Sequence, residues 1–386
     1  MTDLATTEAI LATLIRHPTV SRDSNRALVD WIANRLEDMG ASVEVLPNAT
    51  GDKANLWATL GPPVDGGLVL SGHTDVVPVD GQDWSVPAFD LTVRDDLLLG
   101  RGTCDMKGFL AAVLATAPLL AGADLRHPVH IAFTHDEEVG CLGARALVET
   151  LAARGLRPAT CIVGEPTGMR LVDGHKGCFE YTTRFTGLEG HGSDPDAGLN
   201  AVECAVRFAR KLMDLAEAVK QRAPSDSPFS PPWTTINIGR LAGGAVHNII
   251  PGAAAIDWEM RPVQAEDAAF VHDALGRFVA DTLLPDMRAH AANASVDQET
   301  IGEVAGLEPR QRNAARDMAA QITGQNGVDR VAFGTEAGLF QGLGMDVVIC
   351  GPGHIAQAHK PDEFLARSQL QTCLRFLTGL GRTLLR

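Results

Sequence analysis

The sequence predicts an α/β domain interrupted by a smaller α+β domain. Three observations carry this prediction. The first third alternates helix-period segments with short apolar runs; from Cys178 to about residue 295 the pattern changes to alternating strands and long amphipathic helices; and 386 residues exceed the size at which one core usually stops growing. The expected divisions are 1–177, 178–295 and 296–386, with the outer two forming one domain.

Taken in order, helical periodicity runs near 7–16 and 23–38, and Gly40 ends the second helix. Apolar runs near 41–46, 55–60 and 67–72 read as strands. A helix over 106–121, a strand over 129–135, a helix over 141–154 and a strand over 159–165 follow. The inserted region opens on the alternating "FEYTTRF". It continues with a helix near 199–220, a Pro/Ser-rich loop at 223–232, strands near 234–241 and 254–261, and a helix near 266–282. A last strand is predicted over 345–351.

Composition excludes several classes. The 33 basic and 48 acidic residues leave a formal charge of -15, which repels phosphate backbones and anionic lipid, so no nucleic-acid partner is expected. The amino-terminal stretch has no basic n-region, and the longest apolar run, Phe109 to Leu120, is too short to span a bilayer and contains Pro118; no membrane partner is expected. Seven cysteines without a CxxC pair argue against a disulfide framework or a cysteine zinc site and fit a reducing cytoplasm.

The chemistry collects at strand ends. In "SGHTDVVPVD" an apolar strand closes on His73 and Asp75, and residues i and i+2 share one face of a strand. Asp105 in "GRGTCDMKG", the adjacent Glu137 and Glu138, Glu165 in "GEPT" and His359 in "QAHKPDE" occupy comparable places. Each alone has a plainer reading: a helix cap for Asp105, acids favouring a helix amino terminus for Glu137 and Glu138, a proline turn for Glu165, a loop histidine for His359. Together, the carboxyl ends of strands in an open α/β sheet converge on one crevice. Two histidines and three carboxylates suit two divalent transition metals, zinc above all, with one carboxylate bridging. Of two adjacent carboxylates, one is then free to take a proton from water. "GPGHIA" fits a dinucleotide fingerprint in letters only, since Pro361 and a polar run follow it, and neither a G-x-S-x-G elbow nor a phosphate loop occurs.

Read in order, "SGHTDVVPVD", "GRGTCDMKG", "THDEEVG", "VGEPT", "GHKG", "GHGSDPDAGLNAVE", "NIIPG" and "GPGHIAQAHKPDEFL" resemble the dinuclear zinc amidohydrolases of the acetylornithine deacetylase and succinyl-diaminopimelate desuccinylase family, from near residue 7 to the end. The resemblance implies a mixed-sheet, zinc-peptidase-like catalytic domain with an inserted ferredoxin-like dimerisation or lid domain. It implies that His73 and Glu165 hold one Zn2+, that Glu138 and His359 hold the other, and that Asp105 bridges them before a cis peptide bond; Co2+ is a possible substitute. Asp75 would orient His73, Glu137 would be the general base, and His191 would help to hold the oxyanion, often across a dimer interface. Arg261 and Asn248 resemble the contacts to a substrate carboxylate.

Within the family, "GTCDMKG", "GHKG", "SDPDAGLNAVE", "FGTEAG" and "QAHKPDE" resemble the acetylornithine deacetylase branch. That branch implies hydrolysis of N2-acetyl-L-ornithine to ornithine and acetate in arginine biosynthesis, by a homodimer, with Glu336 as partner for the substrate ammonium. "EEVGCLGAR" is the general family form. It leaves open a deacylase or dipeptidase acting on acetyl-citrulline, succinyl-diaminopimelate or an aminoacylase substrate. A non-catalytic binding protein on this fold is the reading from another class; the presence of all five ligands, Asp75 and Glu137 weighs against it.

Overall fold

The computed structural model describes residues 3–385. The chain forms two compact units. The first runs to Gly174 and resumes over Leu307–Arg330 and from Thr335; the second comprises His175–Gly306 and Val331–Gly334. The chain thus returns to the first unit at Leu307, later than the sequence predicts. Ser295–Val304 is a strand paired antiparallel with Cys178–Thr186 and belongs with the inserted region. Five consecutive exposed residues in that strand blur the alternation by which a strand is recognised.

The first unit is built on an eight-stranded mixed sheet. Its order is Ser42–Pro47, Ala54–Leu60, Val129–Thr134, Leu68–His73, Thr160–Pro166, Asp346–Gly351, Val172–His175 and Asp329–Val331. The Leu68–His73 strand lies parallel to both Val129–Thr134 and Thr160–Pro166, and Asp346–Gly351 lies parallel to Thr160–Pro166. Four parallel strands therefore deliver their carboxyl ends, and the loops that follow, to one edge of the sheet. The three parallel strands on the amino-terminal side of this set are buried almost throughout, as continuous apolar strands in a covered sheet must be.

Helix Gly108–Ala121 is apolar on every side and almost wholly buried, the pattern of a core helix. With the turn before it, Thr103–Ala121 is long and apolar enough to cross a membrane by length and composition, yet 83% of that stretch is buried inside the fold. Gly164 makes the close packing possible. A Cβ there would meet the Phe109 ring at 2.0 Å, so only a glycine lets the helix lie directly on this strand.

The second unit carries a four-stranded antiparallel sheet in the order Thr235–Gly243, Ala253–Arg261, Cys178–Thr186, Ser295–Val304. Alternate residues of Ala253–Arg261 are buried, so one face of the sheet is covered. Helices Ala201–Lys220 and Ala265–Phe278 supply the cover: Phe208, Leu212, Val271 and Leu275 pack with Tyr181, Ile256 and Trp258.

Candidate metal centre

His73 ends its strand with the ring buried, and its two nitrogens face different partners. Nδ1 lies 2.9 Å from the backbone carbonyl oxygen of Asp75 and 3.6 Å from that residue's Oδ1. An acceptor on this side holds the proton on Nδ1 and turns the Nε2 lone pair the other way. There Nε2 meets Oδ1 of Asp105 at 3.0 Å and Oε1 of Glu165 at 3.7 Å.

Asp75 does more than face His73. Its Oδ1 accepts from the backbone N–H of Glu137 at 3.1 Å, and its Oδ2 accepts from the N–H of Glu138 at 3.3 Å and from Ser21 Oγ at 2.7 Å. One buried carboxylate thus ties the end of the Leu68–His73 strand to the loop after Val129–Thr134. Ser21 lies in a polar stretch between helices and gave no sequence signal; only its position beneath Asp75 marks it.

Asp105 enters the site through a turn in which Gly102 has φ 85°, a left-handed conformation that favours glycine. The peptide bond between Asp105 and Met106 is cis. Its carboxylate sits between two histidines: Oδ1 toward His73, and Oδ2 3.4 Å from Nε2 of His359. The same Nε2 is 3.1 Å from Oε1 of Glu138. Ligand atoms of His73, Asp105 and Glu138 all lie within 4.8 Å of one another, as do those of His73, Glu137 and Glu165. Side chains from separated loops are therefore gathered in one place, and Glu137 lies with His73 and Glu165.

Electrostatics follow from crowding acids in a buried space. Burial pushes Glu137 well above the usual carboxylate range, and the charges of Glu138, Asp105 and Asp75 add to it. Glu165 is likewise raised by burial and then by Asp105, and Glu138 by the same two causes. Burial opposes ionisation of Asp105, but hydrogen bonds with His359 and His73 prevail and hold it below the usual range. The same contacts to Asp105 and Glu138 raise His359 to about 10. Oε1 of Glu165 is buried and has no hydrogen-bond partner. A surplus of converging carboxylates, imidazole nitrogens aimed among them and an orphaned buried oxygen together fit divalent cations, which would satisfy all three.

The remaining predicted residues fare differently. In the second unit, the two-residue strands Gly190–His191 and Ile249–Ile250 pair, and Gly192 N–H donates to the Asn248 carbonyl at 2.8 Å, so His191 and Asn248 lie on adjoining segments, both exposed. Arg261 has its fork on Glu259, with Nη2 at 2.9 Å from Oε2 and Nε at 3.3 Å from Oε1. Glu259 thus occupies the Nε and Nη2 edge of that guanidinium. Glu336 corrects an expectation. It is fully buried, its Oε1 accepts from Ser71 Oγ at 2.5 Å and its Oε2 from Thr134 Oγ1 at 2.7 Å. With both oxygens occupied and no solvent face, it is not a contact for a substrate ammonium.

Comparison with known proteins places this geometry. Residues 69–382 match Peptidase family M20/M25/M40. The chain is 34% identical to the acetylornithine deacetylase of Pasteurella multocida (strain Pm70), covering 95% of each, and 35% identical to that of Shigella sonnei (strain Ss046), covering 92% of each. Its fold is similar to that of an M20 family metallo-carboxypeptidase from Sulfolobus solfataricus, with TM-score 0.77, 18% identity and coverage of 97% of this chain and 98% of that one. It is also similar to that of a dinuclear metal-binding M20 peptidase from Bacillus subtilis, with TM-score 0.65, 17% identity and coverage of 99% and 98%. A family match over most of the chain and full-length relatives above 30% identity agree with the gathered site: the chain belongs to peptidase family M20/M25/M40 and is a hydrolase of that family.

Proposed function

We propose that the protein hydrolyses the amide bond of an N-acyl amino acid, with N2-acetyl-L-ornithine as its substrate and ornithine and acetate as products, in arginine biosynthesis. The observation that carries this reading is Asp105 set between His73 and His359, one carboxylate oxygen toward each. In it, His73 and Glu165 would hold one Zn2+ and Glu138 and His359 a second, with the Asp105 carboxylate available to both. When bound, the ions would supply Lewis acidity toward the carbonyl and toward water near neutral pH.

The chain's own groups do the rest. Glu137, whose Oε1 has a long contact of 3.4 Å from Cys141 Sγ, takes the proton of the attacking water on its carboxylate and returns it to the leaving amine. Asp75 holds the backbone of Glu137 and keeps the proton of His73 on Nδ1. His191 donates to the oxygen that becomes negative, and Asn248 and Arg261 receive the substrate carboxylate. The names of the curated relatives support the choice of acyl group and amine.

The test is turnover of acetyl-ornithine, acetyl-citrulline, acetyl-methionine, succinyl-diaminopimelate and a dipeptide, by protein stripped with a chelator and then restored with Zn2+ or Co2+. Activity that disappears on stripping, returns with metal and is highest on acetyl-ornithine is expected. Full activity after stripping would overturn the metal-dependent reading; a higher kcat/KM on another member of the panel would overturn the substrate.

A further inference from the structure

We propose that Glu363, acting through Arg101 and Gln82, is a positioning residue that locks the loop of His359 onto the turn of Asp105 and so builds the second metal subsite; this rests on the two-ion reading above. Glu363 and Arg101 are each 1% exposed and form an ion pair at 2.7 Å. The Glu363 carboxylate is filled on both sides. Oε1 accepts from the backbone N–H of Cys104 at 2.8 Å and of Asp105 at 3.0 Å; Oε2 accepts from the N–H of Gly102 at 3.1 Å and from Arg101 Nη1. The turn that presents Asp105 is thus wrapped around a side chain from the far end of the chain. A carboxylate shared by so many buried donors orders the groups around it.

The other half of the bracket holds His359. Arg101 Nη1 also donates to the Lys360 carbonyl at 3.3 Å, and Nη2 donates to Gln82 Oε1 at 2.6 Å. Gln82 Nε2 in turn donates to the carbonyl of His359 at 3.0 Å. Trp84 steadies both partners: its Nε1 donates to Gln82 Oε1 at 3.0 Å and its ring lies 5.0 Å from the Arg101 guanidinium. His359 needs such support. Its side chain is 51% exposed, so packing does not hold it, and its backbone has φ 62°, a left-handed conformation uncommon outside glycine. Beyond Glu363, Phe364–Ala366 pairs antiparallel with Leu97–Leu99, which anchors the bracket in the fold without passing through the site.

In Glu363→Gln the amide oxygen still serves Cys104 and Asp105, while its NH2 group faces Arg101 and breaks the link to Lys360 and Gln82. In Gln82→Ala the bonds of the Glu363 carboxylate stay, while the donor to the His359 carbonyl is lost together with the acceptor for Arg101 Nη2 and Trp84 Nε1. The experiment is calorimetric titration of Zn2+ alone into chelator-stripped full-length protein, with Co2+ absorption as a second readout. Wild type is expected to take two ions. Both variants are expected to keep the tighter ion within about threefold and to bind the second about 10–100-fold more weakly, the usual effect of a residue supporting a ligand. Adding either substitution to His359→Ala should cause no further loss, because both act through that ligand. Equal weakening of both ions, an additive loss in the double variants, or an unchanged second ion in Gln82→Ala would each overturn the bracket. A wild type that takes only one ion would overturn the two-ion reading itself, before any variant is compared.

Discussion

The backbone N–H of Glu137 donates to Oδ1 of Asp75 at 3.1 Å, so the residue that faces the Nδ1 side of His73 also sets the carboxylate beside it. Two elements of the site are thereby linked through one buried side chain. Removing its charge should disturb both. Asp75→Asn keeps one acceptor but turns an NH2 group toward Ser21 or the Glu137 and Glu138 amides. We expect metal affinity to fall about 10–100-fold, measured by titration, and kcat to fall further than metal loss explains when the variant is assayed at saturating Zn2+. A variant whose kcat recovers fully at saturating metal would show that Asp75 serves His73 alone.

Glu137→Gln separates proton transfer from metal binding. The amide fills the same volume and leaves the contacts of Asp75 to the backbone intact, so two ions should still bind. The expected loss in kcat is about 10²–10⁴-fold, the ordinary contribution of a general base. Metal content by elemental analysis and kcat on acetyl-ornithine check it together; near-normal turnover with two ions bound would remove Glu137 from the chemistry.

Glu336→Gln distinguishes the buried residue found in the structure from the ammonium contact expected from sequence. Burial raises its carboxyl above the usual range, opposed by the Ser71 and Thr134 hydroxyls. An amide in its place turns an NH2 group toward one hydroxyl, which can no longer donate there and loses a charge-assisted bond, at a cost of about 1–3 kcal/mol, read from urea unfolding. The ratio of kcat/KM for acetyl-ornithine over acetyl-methionine should not change. A selective loss on the basic substrate would restore the specificity role.

Acid stability tests a group remote from the metal centre. His130 is 8% exposed, stacks on Trp57 at 4.7 Å and is lowered by burial from 6.5 to about 4. Below its unfolded value the unfolded chain binds a proton that the folded chain refuses. Its contribution is therefore complete above about pH 6.5 and is lost as pH falls toward 4, by about 3 kcal/mol at most. In metal-free protein, the stability difference between wild type and His130→Asn should shrink over that window. A difference that stays constant from pH 7 to 4 would refute the assignment.

How far the sequence carried the site depends on how local each cause was. His73 and Asp75 were legible because a strand closing on i and i+2 polar residues has few other uses, and Glu138 and Glu165 because they follow or end strands whose apolar runs are plain. Glu336 was not, since the glycine and threonine around it in "FGTEAG" read as a loop, while its burial comes from two hydroxyls on the Ser71 and Thr134 strands. Glu363 and Gln82 passed unnoticed for the same reason: nothing near them in sequence indicates that one wraps the Asp105 turn and the other holds the His359 carbonyl.

By itself the sequence determined the order of the main helices and strands of the first unit up to residue 166, the strand near 345–351 and the chemical types at those strand ends, because apolar period and strand termination are written within a few residues; helices Ala314–Thr323 and Arg367–Thr383 were not read from it. Tertiary structure alone decided which oxygen faces which nitrogen, that Asp75 serves the Glu137 loop as well as His73, and that Glu336 and Glu363 are buried supports. These are hydrogen bonds between segments far apart in the chain, and their partners exist only once the sheet has brought the loops to one edge.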